Sequence, residues 1–398
     1  MATGIIKQNT IIAIQSEAVE GTYEAPAAAT SYIQPLEDGF DLSPAREQVE
    51  RTILTTSIGA ATPRLGIRSV AATLPVEFRG SGTEGGDVDY GPLLMGGLGG
   101  TRSGTASTSK AAGHTSTVIP IEDADISKYN VGDIVLVKEA GAYEARPISA
   151  VATGIGTASI TFPFALDNGA PSASVVVGAF KTYKTAATGH PALSLSYYWG
   201  NTIRQAAIGT KVTTMSLEGF TPGQLASWNF GLEGLSYSEV DGAAPHTPSY
   251  DSGLPPIILK ACVWRNGVEV EVNELTLTLT NTLGFLTNTC NANGRSNSRV
   301  TSREITGSFN PYKDDTATDY FDDWDAGTEF SLFAYAYNPH ATTAGNFADG
   351  STVAIWLPQC FTTEFQTQDV EGILTDQMSF RATGGSTGAL DEMFLGLL

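Results

Sequence analysis

The chain has 398 residues, enough for two or three domains, and its 41% hydrophobic content supports a packed core. Its 42 acids outweigh 22 bases for a net charge of −20, which excludes a protein that grips nucleic acid through clustered Lys and Arg, though not one that lets it pass. The 43 glycines, the abundance of Thr, Ser and Val and the scarcity of helical periodicity point to a mainly β chain with many turns.

From the N-terminus, "MATGIIKQNT" lacks a basic segment followed by an apolar one, so no signal peptide is expected. Residues 10–36 predict a strand, a turn and a Pro/Ala-rich extended arm. Phe40–Leu42 and Val70–Phe78 predict paired strands around a long polar segment that carries Arg46, Arg51, Arg64 and Arg68. "DVDYGPLLMGGLGG" predicts a short helix over 88–98, weakened by its glycines.

Residues 101–112, "TRSGTASTSKAA", are low-complexity and linker-like. The next segment alternates in short runs: Ile134 and Leu136, Ile148 and Val151, Ile160, Phe162 and Phe164, with glycine-bearing turns between them. We expect 101–187 to be an inserted small β-barrel-like module, separate enough that deleting it leaves the rest intact. Strands are expected at "ALSLSYYWGN", at 212–218 and at 228–235. The proline- and glycine-rich stretch 246–256 reads as a linker.

The second half, 257–398, repeats the order of the first. "VNELTLTLTN" is a strand, the polar stretch 281–301 carries Arg295 and Arg299, "SREITGSFNPY" returns, and an acidic short helix and "EFSLFAYAYNP" follow. Arg68, Val70 and Leu74 fall on Arg303, Ile305 and Phe309, which keeps the same face buried in both. The expected organisation is therefore a duplicated β-sandwich or barrel, each copy with one short flanking helix: 1–100 with 188–245, then 257–398. Cys262, Cys290 and Cys360 form no disulfide framework or CxxC pair, and free thiols in a reducing compartment are expected.

With "GTYEAPAAATSYIQPL", "GIRSVAATLPVEFRGSG", "GPLLMGGLGG", "TTMSLEGFTPGQLASWNFGLEGL", "SREITGSFNP" and "FDDWDAGTEFSL", the chain resembles the tail tube (major tail) proteins of long-tailed bacteriophages, over both halves but not the module. The resemblance implies a structural virion protein whose sheets join edge to edge into rings that stack as a hollow tail tube. It also implies partners: other copies of itself, the tape measure protein, the tail terminator and distal tail proteins, and genomic DNA passing without specific binding. Assembly would occur in the bacterial host cytoplasm. Most members have one such domain and form six-membered rings, so a chain with two would close as a trimeric, pseudo-hexameric ring. Glu218, Glu233 and Glu364, acids within apolar or Thr-rich strands, are candidates for the lumen, with a solvated outer wall as the alternative. Arg46, Arg51, Arg64, Arg295 and Arg299 are candidates for arms that touch the adjacent ring.

Chemical motifs weigh little beside this. "GSGTEG" at 80–85 matches GxGxxG but lacks the acid about 20 residues later that a dinucleotide site needs. "GGSTG" at 384–388 matches GxSxG, yet no histidine follows Ser386. Asp314, Asp315, Asp319, Asp322, Asp323 and Asp325 lack calcium-loop spacing, and His114, His190, His246 and His340 are scattered. Tyr197, Tyr198, Trp199, Phe333, Tyr335 and Tyr337 read as sheet core or subunit interface rather than as a base-stacking platform. No cofactor, metal or catalytic group is expected. The remaining readings are a capsid or surface-decoration protein with an adhesin-like module, and a β-rich carbohydrate-active enzyme with paired carboxylates.

Overall fold

The computed structural model describes residues 4–51, 53, 62–139, 142–259, 261–313, 320–337, 350–385 and 390–398. The first half opens with β1 (Ile11–Ser16), β2 (Tyr32–Ile33), β3 (Asp41–Val49) and β4 (Arg64–Glu77), then α1 (Gly91–Leu98). Pro92 suits the first turn of α1, where its missing N–H would have had no helical partner. The helix stops at Gly99, whose φ of 90° only glycine adopts freely and whose N–H returns to Met95 O. Next come β5 (Gly99–Gly104) and seven short strands: β6 (Ser107–Thr108), β7 (Val118–Pro120), β8 (Ile134–Glu139), β9 (Ala142–Pro147), β10 (Ala150–Ala152), β11 (Ser159–Thr161) and β12 (Val176–Val177). The chain then resumes with β13 (Phe180–Thr185), β14 (Leu193–Trp199), β15 (Ile203–Phe220), β16 (Ser227–Gly234) and β17 (Ser236–Asp241). The second half holds β18 (Cys262–Arg265), β19 (Val268–Val270), β20 (Val272–Thr287), β21 (Arg295–Pro311), α2 (Tyr320–Ala326), β22 (Phe330–Ala336), β23 (Val353–Val370), β24 (Ile373–Ala382) and β25 (Phe394–Leu397).

The same pairings occur twice. In the first half β2–β1–β14–β15 and β3–β4–β16–β15 are antiparallel neighbours. In the second, β19–β18–β22–β23 and β20–β21–β24–β23 repeat them. Strand β17 lies on β15 as β25 lies on β23. The irregularities also match. β15 slips against β16 between Val212 and Thr214, and β23 slips against β24 between Thr362 and Glu364. At each bulge a threonine hydroxyl donates to the facing strand: Thr213 to Gly231 O (3.0 Å) and Thr363 to Ser379 O (3.1 Å). Composition alone makes strands look alike, but it does not place an extra residue at the same point with the same bond.

Two expectations meet a different structure. The polar segments 43–67 and 281–301 are not free arms where described. β3 pairs with β4 from Asp41↔Thr73 to Val49↔Arg64, and β20 pairs with β21 out to Thr287↔Arg295. Their Ser, Thr and Asn lack an apolar rhythm, but a ladder needs only backbone groups and β-compatible side chains. Nor is the module packed apart from the rest. Its buried Phe164 sits 5.6 Å from Phe333, 6.2 Å from Trp264 and 6.3 Å from Trp356, ring centre to ring centre. Ile119, Ile134, Leu136, Ile160 and Phe162 share one core with these second-half aromatics. Strands β5 and β13 at its two ends pair with each other, and β13 also pairs with β25. A larger core, including Leu74, Trp228, Phe230, Leu279, Phe309 and Phe380, runs through both halves.

Candidate functional site

The halves meet through β15. One edge of this strand pairs with β16 and the other with β20, in the register Thr214↔Thr280, Met215↔Leu279, Ser216↔Thr278, Leu217↔Leu277 and Phe220↔Leu275. One sheet therefore runs β3–β4–β16–β15–β20–β21–β24–β23. Asn281 fastens the join. Its buried amide donates to Gly97 O at the end of α1 (3.0 Å) and to Val212 O on β15 (3.2 Å).

The period of two gives this sheet two unlike faces. Met215, Leu217, Phe230, Leu232, Leu277, Leu279, Ile305, Phe309, Met378 and Phe380 are buried on one. That face also receives the helices: a Cβ on Gly96 of α1 would lie 2.8 Å from Val212 Cγ2, and Phe365 of β23 meets Phe321 and Trp324 of α2. The opposite face carries Ser216, Asn229, Thr278, Thr280, Thr306 and Ser379, all half-buried or exposed. Glu218, Glu233 and Glu364 lie on this polar face, opposite Ser227, Lys211 and Ser379. Glu218 accepts from Asn229 Nδ2 at 3.3 Å, and Glu304 stands 3.4 Å from Arg381 on the same face.

The five arginines separate. Arg46, Arg51, Arg64 and Arg299 are exposed. Arg295 lies over the Phe285 ring at 4.1 Å and reaches Glu233 at 3.7 Å, so an expected arm residue and an expected lumen acid meet within one chain. Ser298 on the same hairpin donates to the Glu20 carboxylate. The second hairpin thus folds back on the first half.

Both ends of the sheet are open. Among the described residues, β3 pairs only with β4, and the stretch 361–370 of β23 pairs only with β24. Ser43, Pro44, Ala45, Arg46 and Glu47 on one edge, and Glu364, Gln366 and Asp369 on the other, are exposed.

Sequence reasoning missed two fastening points. Asn281 was visible as a polar residue in the core phase of Leu275, Leu277 and Leu279. Arg79 carried no such signal. Its buried guanidinium lies 2.7 Å from the equally buried Asp89 and donates to Asp251 O (3.0 Å) and Gly253 O (3.3 Å), which straps the linker to the first half. Burial pushes the Asp89 carboxyl up to about 6, against the pull of Arg79.

The motifs are filled by protein. In "GSGTEG", Glu84 accepts from Ala179 N (2.9 Å) and pairs with Lys138 (2.8 Å). A Cβ on Gly80 would sit 2.1 Å from Gly350 O, so that turn needs glycine for close approach. The His114 ring meets Ser109 and the His190 ring meets the carbonyls of Gly96 and Ala186, while His246 donates its backbone N–H to Tyr32 Oη, so the three stand apart. Among the described residues no cluster of His, Cys, Asp and Glu could hold a metal, and no helix is long and apolar enough to cross a membrane. Burial pushes the Cys262 thiol up to about 11, and that of Cys360 higher still. Tyr197, Tyr198, Phe333, Tyr335 and Tyr337 are buried. Asp314, Asp315, Asp319, His340 and Ser386 lie outside the described residues.

A continuous two-faced antiparallel sheet, fastened by buried polar contacts and backed by short helices, makes this a mainly β protein. Residues 7–382 match the family model described as phage tail tube protein, and the chain belongs to that family. It is a structural protein of the virion tail. No curated protein matches it.

Proposed function

We propose that the chain assembles with itself into rings that stack as the hollow tail tube through which DNA passes to the host. The observation that carries this reading is the β15–β20 join, where one copy of the repeated sheet already continues into the other while the outer edges stay open. Head-to-tail repetition of that join closes a ring and removes every open edge. Two copies per chain make the ring a trimer with pseudo-sixfold symmetry. The first copy is 1–100 with 188–245, the second is 257–398, 246–256 links them, and 101–187 is the insertion.

In this ring the polar face turns inward and Glu218, Glu233 and Glu364 face the lumen. A carboxylate about 10 Å from a phosphate repels it by only about 0.4 kcal/mol in water, so an acidic bore does not hold DNA back. Lysines at the same places would bind phosphates cumulatively. The outer hairpins carry Arg51, Arg64 and Arg299 toward the next ring. The tape measure protein and the tail terminator and distal tail proteins are the further partners, and assembly takes place in the host cytoplasm. Negative-stain microscopy with native mass spectrometry tests the reading: hollow rods built of three chains per ring are expected, and isolated particles or six chains per ring refute it.

A further inference from the structure

We propose that the open edge of β23 joins the β3 edge of a second copy of this chain in the register of the internal β15–β20 join, with Arg46 taking the place of Asn281. The inference rests on the ring reading above and fixes what that reading leaves open, namely which residues meet at the seam.

The register follows from equivalences in the repeated pairing. The bulges put Thr213 of β15 on Thr363 of β23, so Thr214, Met215, Ser216 and Leu217 correspond to Glu364, Phe365, Gln366 and Thr367. On the other strand, Leu279 faces Ile305 as Pro44 faces Val70, and Asn281 faces Arg303 as Arg46 faces Arg68. Transferring the internal pairs gives Glu364↔Ala45, Phe365↔Pro44, Gln366↔Ser43 and Thr367↔Leu42, with Val370 opposite Phe40. Each strand has one open side along this stretch among the described residues.

The chemistry of the two edges fits the transferred register. Asn281 spans from β20 to the Val212 carbonyl and the end of α1. At the seam, the equivalents are the Thr362 carbonyl and the end of α2, where Asp325 stands in the last turn, at the place of α1's Gly97. Asp323 is held by Arg265 at 2.6 Å, and Asp325 is exposed. A short amide suffices where the facing helix offers a carbonyl. An arginine, longer and cationic, suits a facing helix end that is acidic and already negative by its dipole. Pro44 offers a carbonyl and no N–H, which an outer edge tolerates and a register slip would move.

Cysteine pairing reads the register directly, because opposed strand residues have Cα atoms about 4.5–5.5 Å apart, within disulfide reach. In a Cys290→Ser background, the Ser43→Cys, Gln366→Cys chain should form disulfide-linked multimers on mild oxidation of assembled rods. Ser43→Cys with Gln368→Cys, two residues off on the same face, should not. Ser216→Cys with Thr278→Cys, the internal equivalent, should close within one chain and show that the oxidation works. Arg46→Glu should raise the concentration needed for assembly about tenfold or more while monomer circular dichroism is unchanged. Rods that form without the Ser43–Gln366 bond, or with the Ser43–Gln368 bond instead, overturn the register and leave the ring reading standing. Failure of the unaltered chain to form rings or rods overturns the ring reading itself.

Discussion

Removing the module should unfold or aggregate the chain. Gly104 and Phe180 are opposed at the ends of β5 and β13, so residues 105–179 can be replaced by an Asn-Gly turn without straining either strand. What is lost is cover. Trp264, Phe333, Tyr335, Trp356 and Phe394 are all under one-tenth exposed and share a core with the module. If each bares about 100 Å², roughly half the area an aromatic side chain buries, the exposed surface is about 500 Å². At about 25 cal/mol per Å² that amounts to about 12 kcal/mol, comparable to the whole stability of an ordinary domain. A milder version is Phe164→Ala, which empties the pocket among Trp264, Phe333 and Trp356 and should cost about 3–5 kcal/mol. Urea unfolding followed by tryptophan fluorescence measures both, with a dye for exposed apolar surface on the deletion. A deletion variant that stays soluble, binds no dye and unfolds at the original urea concentration would refute the shared core and restore the module as a free-standing insertion.

Three further outcomes are expected. Asn281→Ala leaves the carbonyls of Gly97 and Val212 without their buried donor and should cost about 2–4 kcal/mol in the same titration; Asn281→Asp, which sets a carboxylate against those carbonyls, should cost more. Asp89 titrates at about 6 when folded against an ordinary 3.8, so the folded chain takes its proton first, and the stability this contributes is full below about pH 4 and lost as the pH rises through 6. The stability of the unaltered chain relative to Asp89→Asn should therefore fall by about 3 kcal/mol between pH 3 and 7, and a flat difference would mean that Arg79 holds the carboxylate ionised throughout. Gly80→Ala should destabilise the chain by more than the ordinary effect of a surface substitution, since its methyl would press on the Gly350 carbonyl, and an unchanged melting temperature would place that loop elsewhere.

Much of the fold was legible because it rests on local rules. The alternation in "TTMSLEGF" and "SWNFGLEG" marks β15 and β16 as strands, and the matching of Arg68 and Leu74 with Arg303 and Phe309 marks the repeated register; that β15 and β16 pair comes from the structure. The strand pairing of 43–49 with 64–67, and that within 281–301, is not legible in the sequence, because Thr, Ser and Asn on solvated faces carry no apolar rhythm and the order there comes from the ladder. The module's attachment was hidden for a different reason. Phe164 looks like any core residue of a small barrel, and nothing local says that its neighbours are Trp264 and Phe333, about 100 residues or more further along. The polar face was legible strand by strand. The contact between Glu233 and Arg295 was not, since it needs the second hairpin to cross onto the first half.

The placement of the two copies in one chain bears on how an open-edged sheet survives before assembly. On the ring reading, half of the joins form during folding, when β20 meets β15 at the high effective concentration of a single chain. Only the β23–β3 seam must be found from solution. An exposed β edge pairs indiscriminately unless something discourages it. Here β3 carries Pro44, Arg46 and Glu47, while β23 carries Glu364 and Asp369. Two β23 edges repel through their acids, and two β3 edges each bring a proline. On the proposed register, attraction is left to the mixed pair, where Arg46 would meet Asp325 at the end of α2. The internal join needs no such discrimination, and there the same position holds a neutral, buried asparagine. On this reading, the difference between Arg46 and Asn281, at matched points of a repeated sheet, separates a contact made once by folding from one that must choose its partner.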